Sequence, residues 1–160
     1  RFTYNNVTGI ALRLAELDWA ETFVEQYRDE LDPDYREATY NLNAARLAYA
    51  RRDFDRALRH LQQADYRDLI NNLVAKTLQL KIYYESGEYD LLEAHLRTMR
   101  SFLRRQRRLG YHQRNYLNIV RLTRKLLTTN PYDRQARAQL RTEIEGAEPL
   151  TEKGWLLEQV

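Results

Sequence analysis

Displacing the sequence by 35 residues against itself brings like residues into register, and this internal period constrains the fold more than any other feature. The acid–aromatic pairs Asp18-Trp19, Asp53-Phe54 and Glu88-Tyr89 share one rung. Leu12, Leu47 and Ile82 share a second, Leu14, Tyr49 and Tyr84 a third, and Gln26, Leu61 and Leu96 a fourth. Ala57 further matches Leu92, and Ala64 matches Met99. A period of this size has a physical meaning: two helices of about 13–16 residues and two short turns make one helical hairpin. One hairpin cannot bury its apolar face alone, so such units stack. The expected fold is therefore all-α, an α-solenoid of antiparallel hairpins spanning residues 4–31, 36–64 and 69–108. The second unit divides into helices at 36–51 and 54–64, the third at 69–84 and 89–107. Gly87 in Glu85-Ser86-Gly87-Glu88 can take a left-handed conformation at a helix end, and Arg51-Arg52-Asp53 makes the same turn at some local cost. Trp19, Phe54 and Tyr89 are then expected at equivalent places, each wedged between helices at the start of a second helix.

These residues resemble a known family. Leu80-Lys81-Ile82-Tyr83-Tyr84-Glu85-Ser86-Gly87-Glu88-Tyr89 is similar to the tetratricopeptide repeat, in which a Tyr, a Gly and an aromatic follow at spacings of four and two. Phe54 to Ala64 resembles the second helix of that repeat, with its aromatic, small, large, small order. The resemblance covers about residues 4–104 and is good in the second and third units, poor in the first. Leu80, Leu92 and Met99 stand where the family prefers small residues, so wider packing is expected in the third hairpin.

The resemblance implies a concave surface lined by the first helix of each hairpin, where Asn, Lys and Arg hold an extended peptide or its carboxylate. The matching positions are Asn43, Arg46 and Tyr49 in the second unit, and Leu78, Lys81 and Tyr84 in the third. Arg46 and Lys81, one period apart, should share a wall. Tyr49 and Tyr84 offer flat contact area or pack between hairpins. Leu78 and Ala11 fall where polar residues are wanted, so the carboxylate-gripping set is incomplete. The implied function is a non-catalytic scaffold for a protein or peptide partner.

Residues 112–160 depart from the period. His112, Tyr116, Ile119, Val120, Leu122, Thr123, Leu126 and Leu127 form a helical stripe. Asn130-Pro131 reads as a cap and first turn of the next helix. Glu148-Pro149 restarts a last short one that carries Trp155, Leu156, Leu157 and Val160. This segment is expected to be a degenerate hairpin and a cap covering the last apolar face.

The net charge of +3 conceals an uneven distribution. Residues 1–37 hold nine acidic residues against four arginines, whereas residues 97–125 hold nine arginines, a lysine and no acid. The basic stretch comprises Arg97, Arg100, Arg104, Arg105, Arg107, Arg108, Arg114, Arg121, Arg124 and Lys125, accompanied by Tyr111, His112 and Tyr116. Cations beside flat rings suit a nucleic acid or an acidic partner. That is the alternative function, while a solvated helix face explains the spacing of Arg97, Arg100, Arg104 and Arg108 equally well. The lack of any acid between Arg97 and Tyr132 leads us to expect those arginines without internal carboxylate partners.

No catalytic constellation emerges. His60, His95 and His112 are isolated, without a second His or acid at the i, i+4 spacing of a metal site. Phosphate-loop, dinucleotide and nucleophile-elbow motifs are missing, so no cofactor and no metal is expected. The chain contains no Cys, which excludes disulfides and thiolate metal sites and fits a reducing, cytoplasmic setting. No apolar run reaches the roughly 18 residues of a membrane span. Arg1 stands where a start Met is expected, suggesting part of a longer protein.

Overall fold

The computed structural model describes residues 1–160, with the side chain of Arg107 outside the described set. Among the described residues there are nine α-helices and one 3-10 turn, with no strand. They form two compact units, Arg1–Ser86 and Gly87–Val160. The first contains α1 (Phe2–Arg13), α2 (Leu17–Gln26), α3 (Arg36–Ala50), α4 (Phe54–Gln62) and α5 (Leu69–Glu85). The second contains α6 (Tyr89–Arg105), the 3-10 turn Arg107–Leu109, α7 (Tyr111–Thr128), α8 (Arg134–Gly146) and α9 (Lys153–Gln159). No described helix is long and apolar enough to cross a membrane.

In the first unit α3 is the hub, touching α1, α2, α4 and α5. Its sequence explains the role. Ala44, Ala45 and Ala48 keep its surface thin, so four neighbours can approach, and Leu42 and Leu47 fill the spaces left. One core gathers Leu42, Ala45, Ala48, Ala57, Leu61, Ala75, Leu78 and Ile82 from α3, α4 and α5. Two smaller cores join α1 and α2 to α3, one around Ala11, Ala20 and Leu47, the other around Tyr4, Val24 and Leu31. The Tyr4 hydroxyl, buried there, donates to the Val24 carbonyl at 2.6 Å. That bond offsets the cost of burying the group, which in turn pushes its pKa up.

The helix-ending turns fix the register of the repeat. Ala15, Arg52 and Gly87 each take a left-handed backbone, with φ of 58°, 62° and 73°. The next residues, Glu16, Asp53 and Glu88, cap the following helix with nearly the same dihedrals. In the first two turns the hydrogen bonds also coincide: Glu16 and Asp53 donate their backbone N–H to Ala11 and Ala48, five residues back. The equivalent residues are therefore 37 apart between the first and second turns and 35 apart between the second and third. This corrects the first rung of the sequence ladder. Leu17, not Trp19, opens a helix alongside Phe54 and Tyr89, and Val24, not Gln26, joins Leu61 and Leu96 as a buried residue. Ala20, Ala57 and Leu92 are all fully buried on the rung between. Nor are the three aromatics uniformly wedged. Phe54 is half-buried, but Trp19 and Tyr89 are each 53% exposed.

In the second unit α7 plays the hub, touching α6, α8, α9 and the 3-10 turn. Leu92, Leu96, Met99 and Leu103 bury the inner stripe of α6, while Ile119, Leu122 and Leu126 bury that of α7. Trp155 and Leu156 of α9 are buried as well, and Val160 is half-buried. Asn130 does not cap α8, as its sequence context suggests. Its Oδ1 accepts from the Tyr132 N–H and closes a short turn, and Asp133 caps the helix by accepting from the Ala136 N–H at 2.9 Å.

Candidate binding groove

The residues expected to line a concave peptide groove are largely engaged with one another. Asn43 is fully buried on α3. Its amide donates to Asn5 Oδ1 at 2.6 Å and to the Thr39 carbonyl at 2.8 Å. The Arg46 guanidinium donates to Asn43 Oδ1 and to the Asn5 carbonyl. It lies flat against α1 because Gly9 has no side chain; a Cβ there would sit 2.8 Å from Arg46 Nη2. Asn43 and Arg46 thus staple α3 to α1.

Tyr49 and Lys81 sit in a second cluster between α3 and α5. The Tyr49 hydroxyl donates to Glu85, which also accepts from Arg52 at 2.7 Å. Lys81 Nζ lies 4.8 Å from the centre of the Tyr49 ring, and the Phe54 ring stacks against Tyr49 at 5.9 Å. Tyr84 is half-buried beside Glu85 on α5. This cluster joins α3 to α5 through a half-buried carboxylate, two cations and two rings.

The basic segment is arranged differently. A groove of about 510 Å³ opens between α6 and α7 within the second unit. Leu117, half-buried, and the almost fully buried Leu96 and Val120 form its floor, and Arg100, Arg104, Arg121, Arg124 and Lys125 add five cations. Helical geometry explains the pairing. Leu96, Arg100 and Arg104 follow at i, i+4, as do Leu117, Arg121 and Lys125, so each helix contributes an apolar base and a charged edge to the same opening.

The other members of the basic stretch lie elsewhere. Arg97, Arg105, Arg108 and Arg114 are exposed but do not line the groove, and the Arg107 side chain is outside the described residues. Of the aromatic neighbours, Tyr116 is buried, and Tyr111 and His112 meet edge to face at the start of α7. None of the three lines the groove.

The expected absence of internal carboxylate partners holds only in part. Arg97 meets Glu93 one turn earlier on α6 at 3.9 Å. Glu143 reaches across from α8, accepting from Lys125 at 2.7 Å and also from Arg121. The hydrogen bond from Lys125, with Arg121 adding to it, holds the Glu143 carboxyl below its usual value against the opposing effect of burial. Arg100, Arg104 and Arg124 make no ion pair among the described residues, and all three are exposed. The acid was missed because it lies on a different helix, beyond Tyr132. The apolar base of the groove was legible only as core.

His60 is half-buried and shares a 2.8 Å hydrogen bond with Asn41. Burial pushes its pKa down, and nearby Arg56 acts in the same direction. No group of three metal-ligating side chains occurs among the described residues. Comparison with protein-family models, curated proteins and solved structures returns no match to this chain.

Proposed function

We propose that this chain is a binding module of tetratricopeptide-like helical hairpins that captures an acidic, amphipathic segment of a protein partner in the groove between α6 and α7. The observation that carries this reading is the groove's composition: an apolar base beneath a cationic edge. An amphipathic helix with Leu- or Phe-type anchors and flanking carboxylates complements both layers, one by burial and the other by charge-assisted hydrogen bonds.

A single-stranded nucleic acid needs rings on which bases stack. The groove offers none, which favours the acidic peptide over the nucleic acid. The concave face is a weaker candidate, because Asn43 and Arg46 already bond to one another and to α1. Support for the tetratricopeptide-like assignment comes from the recurring turn geometry and from the first-unit helices packing mainly on near neighbours in sequence.

Anisotropy of a fluorescein-labelled acidic amphipathic peptide tests the proposal. The R100S/R104S/R124S variant should keep its circular dichroism, because exposed charges add little to stability. It should bind the peptide more weakly by at least about tenfold. Equal affinity in the variant, or a preference for oligo-dT over the peptide, refutes the proposal.

A further inference from the structure

The seam between the first two hairpins is nearly filled, leaving a cavity of only about 20 Å³. On one side of it, α3, α4 and their connecting turn contribute Ala44, Leu47, Ala48, Arg51, Asp53 and Arg56. On the other, α2 covers them with Glu21, Val24 and Glu25. A second hollow, open by about 380 Å³, lies on α1 and α2 and is lined by Val7, Ile10, Ala11, Leu14, Glu16 and Trp19.

The 37-residue offset set by the turns at Ala15 and Arg52 maps these six residues, in order and without exception, onto the six of the filled seam. The open hollow is thus the same face one repeat earlier, without its covering helix. Exposure follows the same contrast: Leu47 is 6% exposed under α2, and its counterpart Ile10 is 48% exposed.

We infer that this face is a docking site for one amphipathic helix of a partner protein, seated as α2 is seated on α3 and α4. The partner's chemistry can be read from the two positions at which the faces differ in charge. Arg51 bonds Asp18 and Glu21 of α2, and Arg56 lies 4.0 Å from Glu21. Their counterparts are Leu14 and Trp19. The partner helix therefore carries a small apolar residue towards Ile10, as α2 carries Ala20 towards Leu47. Where α2 has Asp18 and Glu21 it carries apolar residues, since a carboxylate pressed against Leu14 or Trp19 loses its hydration without gaining a cation. The α2 of a second copy does not fit, because it carries those acids and is already packed on α3.

The probe is a peptide of residues 16–28 with D18L, W19F and E21L, held helical by a lactam bridge replacing the exposed Thr22 and Gln26. Added to the full chain, it should bind and shield Trp19 from iodide, whereas Trp155, 6% exposed, is shielded already. The same peptide retaining Asp18 and Glu21 should bind about tenfold more weakly or worse. L14E, a change at an exposed position, should weaken binding similarly at unchanged circular dichroism, and I10E gives a second independent variant. The inference is overturned if the apolar peptide does not bind, if both peptides bind equally, or if L14E and I10E bind like the parent. It is equally overturned if the chain sediments as a dimer that L14E dissociates.

Discussion

Replacing Leu61 with Ala tests the packing of the first unit where its geometry is most demanding. Leu61 is 4% exposed on α4 and sits in the core with Ala45, Ala48, Ala57 and Ala75. The substitution removes three carbons, worth about 2.4 kcal/mol at ~0.8 kcal/mol per buried methylene. The cavity term adds to this, because the surrounding core relaxes only partly into the void. The expected loss is about 3–4 kcal/mol, in the middle of the range for buried Leu→Ala changes. Urea unfolding followed by far-UV circular dichroism measures it, with a lowered midpoint at unchanged slope. Val24→Ala, at the corresponding position of α2, should cost about 2 kcal/mol by the same arithmetic. Gln26→Ala, two residues on, should change stability by less than ~0.5 kcal/mol. A loss under ~1 kcal/mol at Leu61, or a cost at Gln26 equal to that at Val24, refutes the register drawn from the turns.

Ala15→Gly should stabilise the chain by a few tenths to about 1 kcal/mol, because it relieves a left-handed φ of 58° at an exposed turn; Gly87→Ala should destabilise by about 1 kcal/mol. Thermal denaturation checks both. His60, whose pKa is depressed, contributes stability that is full above the ordinary value of 6.5 and is lost as pH falls through the folded value. His60→Gln should flatten stability across that window. Glu143, also depressed, contributes above 4.5 and loses its contribution as pH falls through its folded value. Glu143→Gln should abolish that dependence. By releasing Arg121 and Lys125, it should also tighten acidic-peptide binding in the anisotropy assay.

The helices were legible because their signals are local. The limits of α3, α4 and α5 fall within two residues of those read from apolar spacing and turn residues. The register of the first hairpin was less legible. Asp18-Trp19 imitates Asp53-Phe54 in composition, yet the chain turns at Ala15, where no glycine marks the left-handed residue. Glu16-Leu17, an acid followed by an apolar residue, was the signal to follow, together with Ala20 and Val24 behind it. The site divides along the same line. The basic edge could be read from Arg100, Arg104, Arg121 and Arg124, because charge spacing is one-dimensional. That a groove floored by Leu96, Leu117 and Val120 opens between them, and that Glu143 pairs with Arg121, depends on how α6, α7 and α8 pack.

The most direct measurement is a ¹H–¹⁵N NMR titration of the full chain with the acidic amphipathic peptide at physiological ionic strength. Capture in the groove predicts the largest shifts at Leu96, Arg100, Arg104, Leu117, Val120 and Arg124, with methyl contacts from the peptide to Leu117 and Val120. Shifts centred on Asn43, Arg46, Tyr49 and Lys81, or none at saturating peptide, would contradict it.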